Sequence, residues 1–307
     1  MGGLHQLLKT IACFAPGLAL SCAVLSSRGE VPRTSFEESV DRAFNGQRGA
    51  AVVVRVHDGR VLAAHNIPIL TRRIATPGSA IKPFVLSFLL ETGTIHPQDT
   101  ILCRRNLTIA GRKLNCSHPP ELSTFKAKEA LAFSCNSYFV TAAERFKPGE
   151  LERRFMELGF TQPSGLLPGE GQGHVESAKN MAERQLLALG VAGIEITALE
   201  LAKAYLRLAR LEPSSASAAQ GVVLAGLRES ADYGLAQNAR PSHISVAGKT
   251  GTASDPADTH THAWFAGFAP AEKPEITVVV FVERGHGSAE AANLARLIFQ
   301  AYEEHRP

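Results

Sequence analysis

No block of like charge runs through these 307 residues, and 32 basic against 29 acidic side chains leave a net charge of only +3. That excludes an acidic or basic tail and, with an isoelectric point near 8.6, makes no case for nucleic-acid binding. No internal repeat recurs at solenoid periods, which excludes a stacked-repeat architecture. Cysteine is scarce. Of the five, Cys13 and Cys22 fall in the N-terminal segment, leaving Cys103, Cys116 and Cys135, too few for a dense disulfide framework. The single tryptophan, Trp264, reads as a core residue rather than a ligand contact.

The N-terminus departs from this ordinary composition. Between Lys9 and Arg28 lie 18 uncharged, mostly apolar residues in "TIACFAPGLALSCAVLSS". The stretch fits a secretory signal peptide. It is also barely long enough for an uncleaved membrane anchor, and Cys22 in "LALSC" admits lipoprotein processing. All three readings export the remainder. A short buried helix of a cytosolic protein is the fourth reading, disfavoured by the Pro16-Gly17 break.

Residues 31–48 read as a linker and one helix, "TSFEESVDRAFNG". "AAVVVRVHDGRVLAAHN" then gives two β-rich runs around His57-Asp58-Gly59, a strong hairpin signal. From Ser79 to about Arg228, apolar residues recur at helical spacing in "KEALAFSCNSYFVTAAERF", "GELERRFMELGF" and "ALELAKAYLRLARL". Strand patterns return in "ISVAGKTGTAS", "HAWFAGFAP" and "EITVVVFVERG", and an amphipathic helix closes the chain. The order predicts an α/β protein of the α+β type. An antiparallel sheet of about five strands carries the terminal helices on one face and a helical lobe on the other, with a cleft between lobe and sheet.

Three short motifs carry chemistry. "PGSAIKPF" places Lys82 three residues after Ser79, at the mouth of an otherwise apolar helix. A serine cap and a proline in the first turn would explain Ser79 and Pro83, but not Lys82. A lysine beside a hydroxyl there points to an activated nucleophile. S-x-x-K alone is weak, and a second copy occurs at Ser123–Lys126. That copy opens a helix with a charged face, where Ser123 or Thr124 reads as an N-cap. The other two motifs are Ser134-Cys135-Asn136, at a helix–helix turn, and Lys249-Thr250-Gly251-Thr252, in a strand. A plain turn and a plain strand explain each one singly, but not all three in this order.

Residues from about 49 to 304 resemble the transpeptidase domain of penicillin-binding proteins, especially the high-molecular-weight type. "TPGSAIKPF", "ALAFSCNSYF", "LGFTQPSGLLPGE", "LALGVAGIEITALELAKAYLRLA" and "VAGKTGTAS" followed by "HAWFAGFAPAEKPEITVVVFVE" carry the resemblance. The chain departs from that type in leaving no room for a glycosyltransferase or pedestal domain. The expected division is 1–30 export segment, 31–48 linker and helix, and 49–307 catalytic domain.

The resemblance implies a serine acyl-transferase acting on D-alanyl-D-alanine stem peptides of peptidoglycan, with β-lactams as substrate mimics. Ser79 is the expected nucleophile and Lys82 its base, neutral through burial and the nearby Lys249. Ser134 would relay a proton, and Asn136 would hydrogen-bond the substrate amide. Lys249, Thr250 and Thr252 would hold the substrate carboxylate, and Gly251 would let substrate lie along the strand. The amides of Ser79 and Thr252 would form the oxyanion hole.

A class D-like β-lactamase and a β-lactam sensor or peptidoglycan-binding module that is acylated once are the rival readings. Glu170, flanked by glycines, is not expected to serve as a water-activating base. Cell-wall synthesis proteins are conceivable partners, while no cofactor, no metal and no nucleic acid is expected. "CRRNLTIAGRKLNCSH" admits a Cys103–Cys116 disulfide, a metal with another ligand, or two unrelated thiols, and the disulfide is the preferred reading. His262 points either into the cleft or away from it.

Overall fold

The computed structural model describes residues 35–211, 216–254 and 260–306. The expected export segment, with Cys13 and Cys22, lies outside them. Among the described residues no helix is long and apolar enough to cross a membrane.

The main sheet has five antiparallel strands: β1 Gly49–Arg55, β2 Val61–His65, β3 Ala247–Ser254, β4 Thr261–Ala269 and β5 Ile276–Val282. They are ordered β2-β1-β5-β4-β3, so the first hairpin joins the last three strands and β3 is an edge. The hairpin turns at Asp58-Gly59, as the sequence predicts. Asp58 accepts from the Arg55 guanidinium and the Arg60 amide, and Gly59 takes a positive φ of 78°.

Both faces of the sheet are buried, which is why β1 and β5 read as unbroken apolar runs rather than alternating ones. Ala50, Val52, Val54, Val279 and Phe281 face the helical lobe. Ala51, Val53, Val278, Val280 and Val282 face the terminal helices α1 (Ser35–Phe44) and α10 (Ala292–Glu304). Helix α1 buries Phe36, Val40 and Phe44, one residue per turn, and a 2.7 Å pair between Asp41 and His65 fastens it to β2.

Between β2 and β3 lie helices α2 (Ile67–Arg72), α3 (Lys82–Glu91), α4 (Ala127–Ala132), α5 (Asn136–Ala143), α6 (Glu150–Leu158), α7 (Met181–Leu189), α8 (Ala198–Ala209) and α9 (Ala218–Asp232). Helix α3 is buried from Lys82 to Leu90 and forms the axis of the lobe. Its apolar residues therefore surround it rather than forming a stripe.

Gly248 and Gly267 face each other across β3 and β4, and the Phe265 ring covers both. A Cβ on Gly248 would sit 2.5 Å from that ring. The ring also meets Phe299 of α10 edge-on, with centroids 6.0 Å apart. Phe265→Ala removes the cover from a glycine pair that has no side chains of its own. It should cost about 3–5 kcal/mol in denaturant unfolding, and a loss under about 1 kcal/mol would show that the ring is not what fills this gap.

Candidate active site

The segment that carries Ser79, the expected nucleophile, is held from four directions. The Thr76 carbonyl accepts from His262 Nε2 at 2.7 Å and from Trp264 Nε1 at 3.0 Å, both on β4. Gly78 donates its amide to Gly190 O at 2.8 Å. The Tyr205 hydroxyl of α8 donates to Ala80 O at 2.8 Å. The fourth contact is backbone on backbone: a Cβ on Gly251 would lie 2.3 Å from Pro77 O, and one on Gly78 2.6 Å from Thr252 O. Trp264 is thus a core residue as expected, with its one polar atom satisfied. His262 is buried against Thr76 and does not line the cleft.

The helix does not begin at Ser79. A 3-10 turn, Gly78–Ile81, carries the serine, and α3 proper starts at Lys82 with Pro83 as its second residue. The Lys82 amide closes the turn on Ser79 O. Pro83 then occupies a position whose amide would have no intrahelical partner, so the proline costs little. Ser79 caps neither segment, and its side chain is half-buried.

Lys82 is fully buried and its Nζ donates three hydrogen bonds: to Ser134 O at 2.8 Å, Ser134 Oγ at 3.2 Å and Asn136 Oδ1 at 2.6 Å. The Phe139 ring lies 4.9 Å from the same nitrogen. Burial pushes the Lys82 amine down to about 8, against the opposing pull of Cys135 and Cys116. Lys249 is also fully buried and is pushed well below the usual lysine range, by desolvation first and by the Lys82 charge second. The two amines thus share a site that favours fewer than two charges.

Ser134 is placed by a helix C-terminal motif. It follows α4 with φ of 53°, its amide donates to Leu131 O, and the Cys135 amide donates to Ala130 O. This is the position where helices favour glycine, and a serine there is strained. The strain sets the hydroxyl against Lys82 Nζ. Asn136 then begins α5. Its Nδ2 donates to Leu114 O at 3.0 Å, while its Oδ1 serves Lys82. Both ends of the amide are engaged within the protein, and its Oδ1 helps to position Lys82.

Two expectations for β3 change. Residues directly opposite across an antiparallel pair share a face. Lys249 and Gly251 pair with Ala266 and Trp264 and face the helical lobe, whereas Thr250 and Thr252 pair with Phe265 and Ala263 and face the other way. The three side chains expected around a carboxylate therefore do not converge on one face. Lys249 Nζ donates to Thr250 O at 3.1 Å, and Thr252 Oγ1 accepts from the Gly287 amide at 2.9 Å. Gly251 is required by the close approach of Pro77 and Ala80. A groove of about 360 Å³ opens beside the edge strand, lined by Thr252, Ser254, Thr261, Arg112, Lys113 and Val191.

The second S-x-x-K lies elsewhere. Ser123 is exposed, and Thr124-Phe125 pairs with Ile101-Leu102 in extended backbone, so neither Ser123 nor Thr124 caps a helix. Lys126 occupies the cap position of α4 and reaches Gln98 at the surface. Glu170 accepts from the amides of Ser164, Gly165 and Leu167, which commits its carboxylate to bracing its own loop.

The preferred disulfide is absent. Cys103, Cys116 and Cys135 are free thiols, and the Cys103 and Cys116 sulfurs are 3.6 Å apart, against about 2.05 Å in a disulfide. Cys135 Sγ lies 3.9 Å from Cys116 Sγ, and His118 Nε2 3.3 Å from Cys103 Sγ. A thiolate on Cys116, hydrogen-bonded by the Cys135 thiol, is stabilised, and Cys135 itself is pushed up. The sequence groups Cys103, Cys116 and His118 and admits a metal with another ligand there, but does not point to Cys135 as the fourth member, nor to Thr76, Gly190 or Tyr205. The one local signal was a cysteine inside the Ser-x-Asn motif.

Because Ser134 is strained for the sake of its hydroxyl, Ser134→Gly and Ser134→Ala should separate stability from reactivity. Both should slow reaction at Ser79. The glycine variant should be more stable than the alanine variant by about 1–2 kcal/mol in denaturant unfolding. Equal stabilities would remove the strain argument.

Comparison with known proteins agrees with this geometry. Residues 49–300 match the family model described as penicillin binding protein transpeptidase domain. Peptidoglycan D,D-transpeptidase PbpA of Mycobacterium tuberculosis is 23% identical, over 94% of this chain and 68% of that protein. Its counterpart in Mycolicibacterium smegmatis is 25% identical, over 76% of this chain and 57% of that protein. Among solved structures, a complex between penicillin-binding protein PBP2 and MreC from Helicobacter pylori superimposes with a TM-score of 0.79. That match has 20% identity and covers 88% of this chain and 63% of that one. With the family match spanning most of the length and the three motifs meeting at Lys82 and β3, this chain belongs to the penicillin-binding protein transpeptidase domain family.

Proposed function

We propose that the chain is an exported serine D,D-transpeptidase or D,D-carboxypeptidase. Its substrate class is the D-alanyl-D-alanine stem peptide of peptidoglycan, and β-lactams acylate the same serine, Ser79. The observation that carries this reading is the buried Lys82 amine, one helical turn from Ser79 and held by both Ser134 and Asn136. Neutral Lys82 takes the Ser79 hydroxyl proton as the oxygen attacks the carbonyl of the penultimate D-alanine. The oxyanion that forms is stabilised by the amides of Ser79 and Thr252, at the junction where Gly78 meets Thr252. The proton then passes from Lys82 through Ser134 to the nitrogen of the departing terminal D-alanine. An acceptor amine or water attacks the resulting ester, and the same groups run in reverse.

The carboxylate of the leaving residue belongs in the groove beside β3, where Arg112 and Lys113 supply positive charge. Buried Lys249 acts on Lys82 through its field: a carboxylate nearby draws the shared proton towards Lys249 and leaves Lys82 free to act as base. The names of the relatives support the peptidoglycan substrate class, and the neighbour solved with MreC supports recruitment by a cell-wall synthesis protein.

A class D-like β-lactamase would need a carbamylated Lys82 in an apolar pocket. Three oxygen acceptors around Nζ argue against it. A class A mechanism needs a carboxylate to activate water, and Glu170 is engaged with its own loop.

Intact-mass measurement with a penicillin tests the reading. One adduct should form on Ser79 and persist for many minutes; Ser79→Ala should abolish it, and Ser123→Ala should leave it unchanged. Its rate of formation should climb with pH through about 8, because the base must be neutral to act. Rapid return to the unmodified mass, with steady β-lactam turnover stimulated by bicarbonate, would overturn the transpeptidase reading in favour of the class D one.

A further inference from the structure

Cys103, Cys116, His118 and Cys135 bring four ligating atoms within 4.8 Å of one another, with Cys103, His118 and Cys135 buried and Cys116 half-buried. We propose that they form a zinc site that fastens the Ser134-Cys135-Asn136 turn to the 101–118 segment. Tetrahedral zinc with Zn–S of about 2.3 Å and Zn–N of about 2.05 Å sets sulfur–sulfur edges near 3.8 Å and sulfur–nitrogen edges near 3.6 Å. The distances here are 3.6 and 3.9 Å between sulfurs and 3.3 Å from sulfur to nitrogen. A closing movement of about 1 Å brings the widest pair to the tetrahedral edge.

The groups around the four atoms are those a metal centre requires. His118 Nδ1 lies 3.1 Å from Pro119 O. Arg105 Nη1 lies 3.2 Å from the same Nδ1 and also donates to Pro119 O. With Arg105 donating to the carbonyl alone and the Nδ1 proton directed to it as well, the Nε2 lone pair is left facing the sulfurs. Arg105 braces the same stretch, donating to Pro119 O and His118 O at 3.0 and 2.8 Å. Backbone amides supply the sulfurs with donors: Arg105 N to Cys103 Sγ and Ser137 N to Cys116 Sγ, both at 3.4 Å. Three thiolates and one neutral imidazole are a recurrent structural zinc set, and with all four positions taken by protein the site is closed to catalysis. Zinc displaces the thiol protons on binding, and no redox partner is involved.

The site bears on the chemistry through Cys135, whose neighbours on both sides touch Lys82. The segment that supplies the other three ligands also supplies Leu114 O to Asn136. The metal would thus act as a positioning element for Ser134 and Asn136. This second part rests on the proposed acylation of Ser79, whereas the metal site does not.

The whole chain, purified without chelator, should carry one zinc per molecule by elemental analysis. Cobalt in its place should give sulfur-to-metal charge-transfer absorption and tetrahedral d–d bands. Cys103→Ser, Cys135→Ser and His118→Gln should each lower zinc retention by more than the roughly 10- to 100-fold that loss of an outer-shell partner costs. Removing the metal should slow penicillin adduct formation by on the order of 10- to 100-fold, with the far-ultraviolet circular dichroism unchanged. A metal-free protein with a Cys103–Cys116 disulfide, or with three titratable thiols and no zinc uptake, would overturn the site. Zinc bound but without effect on the acylation rate would overturn the positioning role. Absence of acylation in the zinc-loaded protein would overturn the proposed function and leave the metal site standing.

Discussion

The site depends on one contact between two stretches of backbone. The edge strand β3 and the 3-10 turn that carries Ser79 approach so closely that neither Gly251 nor Gly78 has room for a β-carbon. Gly287 closes on the Gly251 peptide from the terminal-helix side, within 2.3 Å of its carbonyl oxygen for an added Cβ. The helical lobe and the sheet are thus joined directly beside Ser79, the proposed nucleophile, with no side chain between them to change rotamer. Thr76, Gly78 and Ala80, bonded from β4, from Gly190 after α7, and from α8, keep the turn from sliding along that contact.

That junction brings two buried amines into one site, and its chemistry follows from the desolvation of both. Water would hold both amines charged far above neutral pH; burial brings Lys82 down to about 8, and burial together with the Lys82 charge pushes Lys249 well below the usual lysine range. In the proposed mechanism Lys82 serves as base without a nearby carboxylate, its three hydrogen-bond partners being neutral oxygens. Ser134 adds a local backbone cost to the arrangement, because a left-handed serine stands where a glycine would be relaxed. The strain lies where the hydroxyl has to meet Lys82.

The sheet was legible in the sequence because its strands are buried on both faces and its first hairpin carries an Asp-Gly turn. The three motifs were legible because each is local. What depends on distant residues was not. No spacing rule connects Tyr205 to Ala80 or Gly190 to Gly78. The strand alternation that separates Lys249 from Thr250 and Thr252 was available in the sequence, but the carboxylate reading placed all three together. Gly251 was assigned to substrate approach because the turn that fills its space comes from residues 77–80. Cys103, Cys116 and His118 stand close enough in sequence to suggest a disulfide or a metal with another ligand, but Cys135 belongs to the Ser-x-Asn motif, and only the fold brings it beside Cys116 and His118.

Gly251→Ala tests the backbone junction most directly. The added methyl must displace Pro77 O and Ala80, so the nucleophile turn moves away from Lys82 and Thr252. The expected result is a folded protein whose Ser79 reacts on the order of 100-fold more slowly with a β-lactam. The same slowing should appear with a small activated ester that makes no contact along β3. Unchanged reactivity toward the small ester, with loss confined to the β-lactam, would contradict the account and return Gly251 to a role in substrate approach.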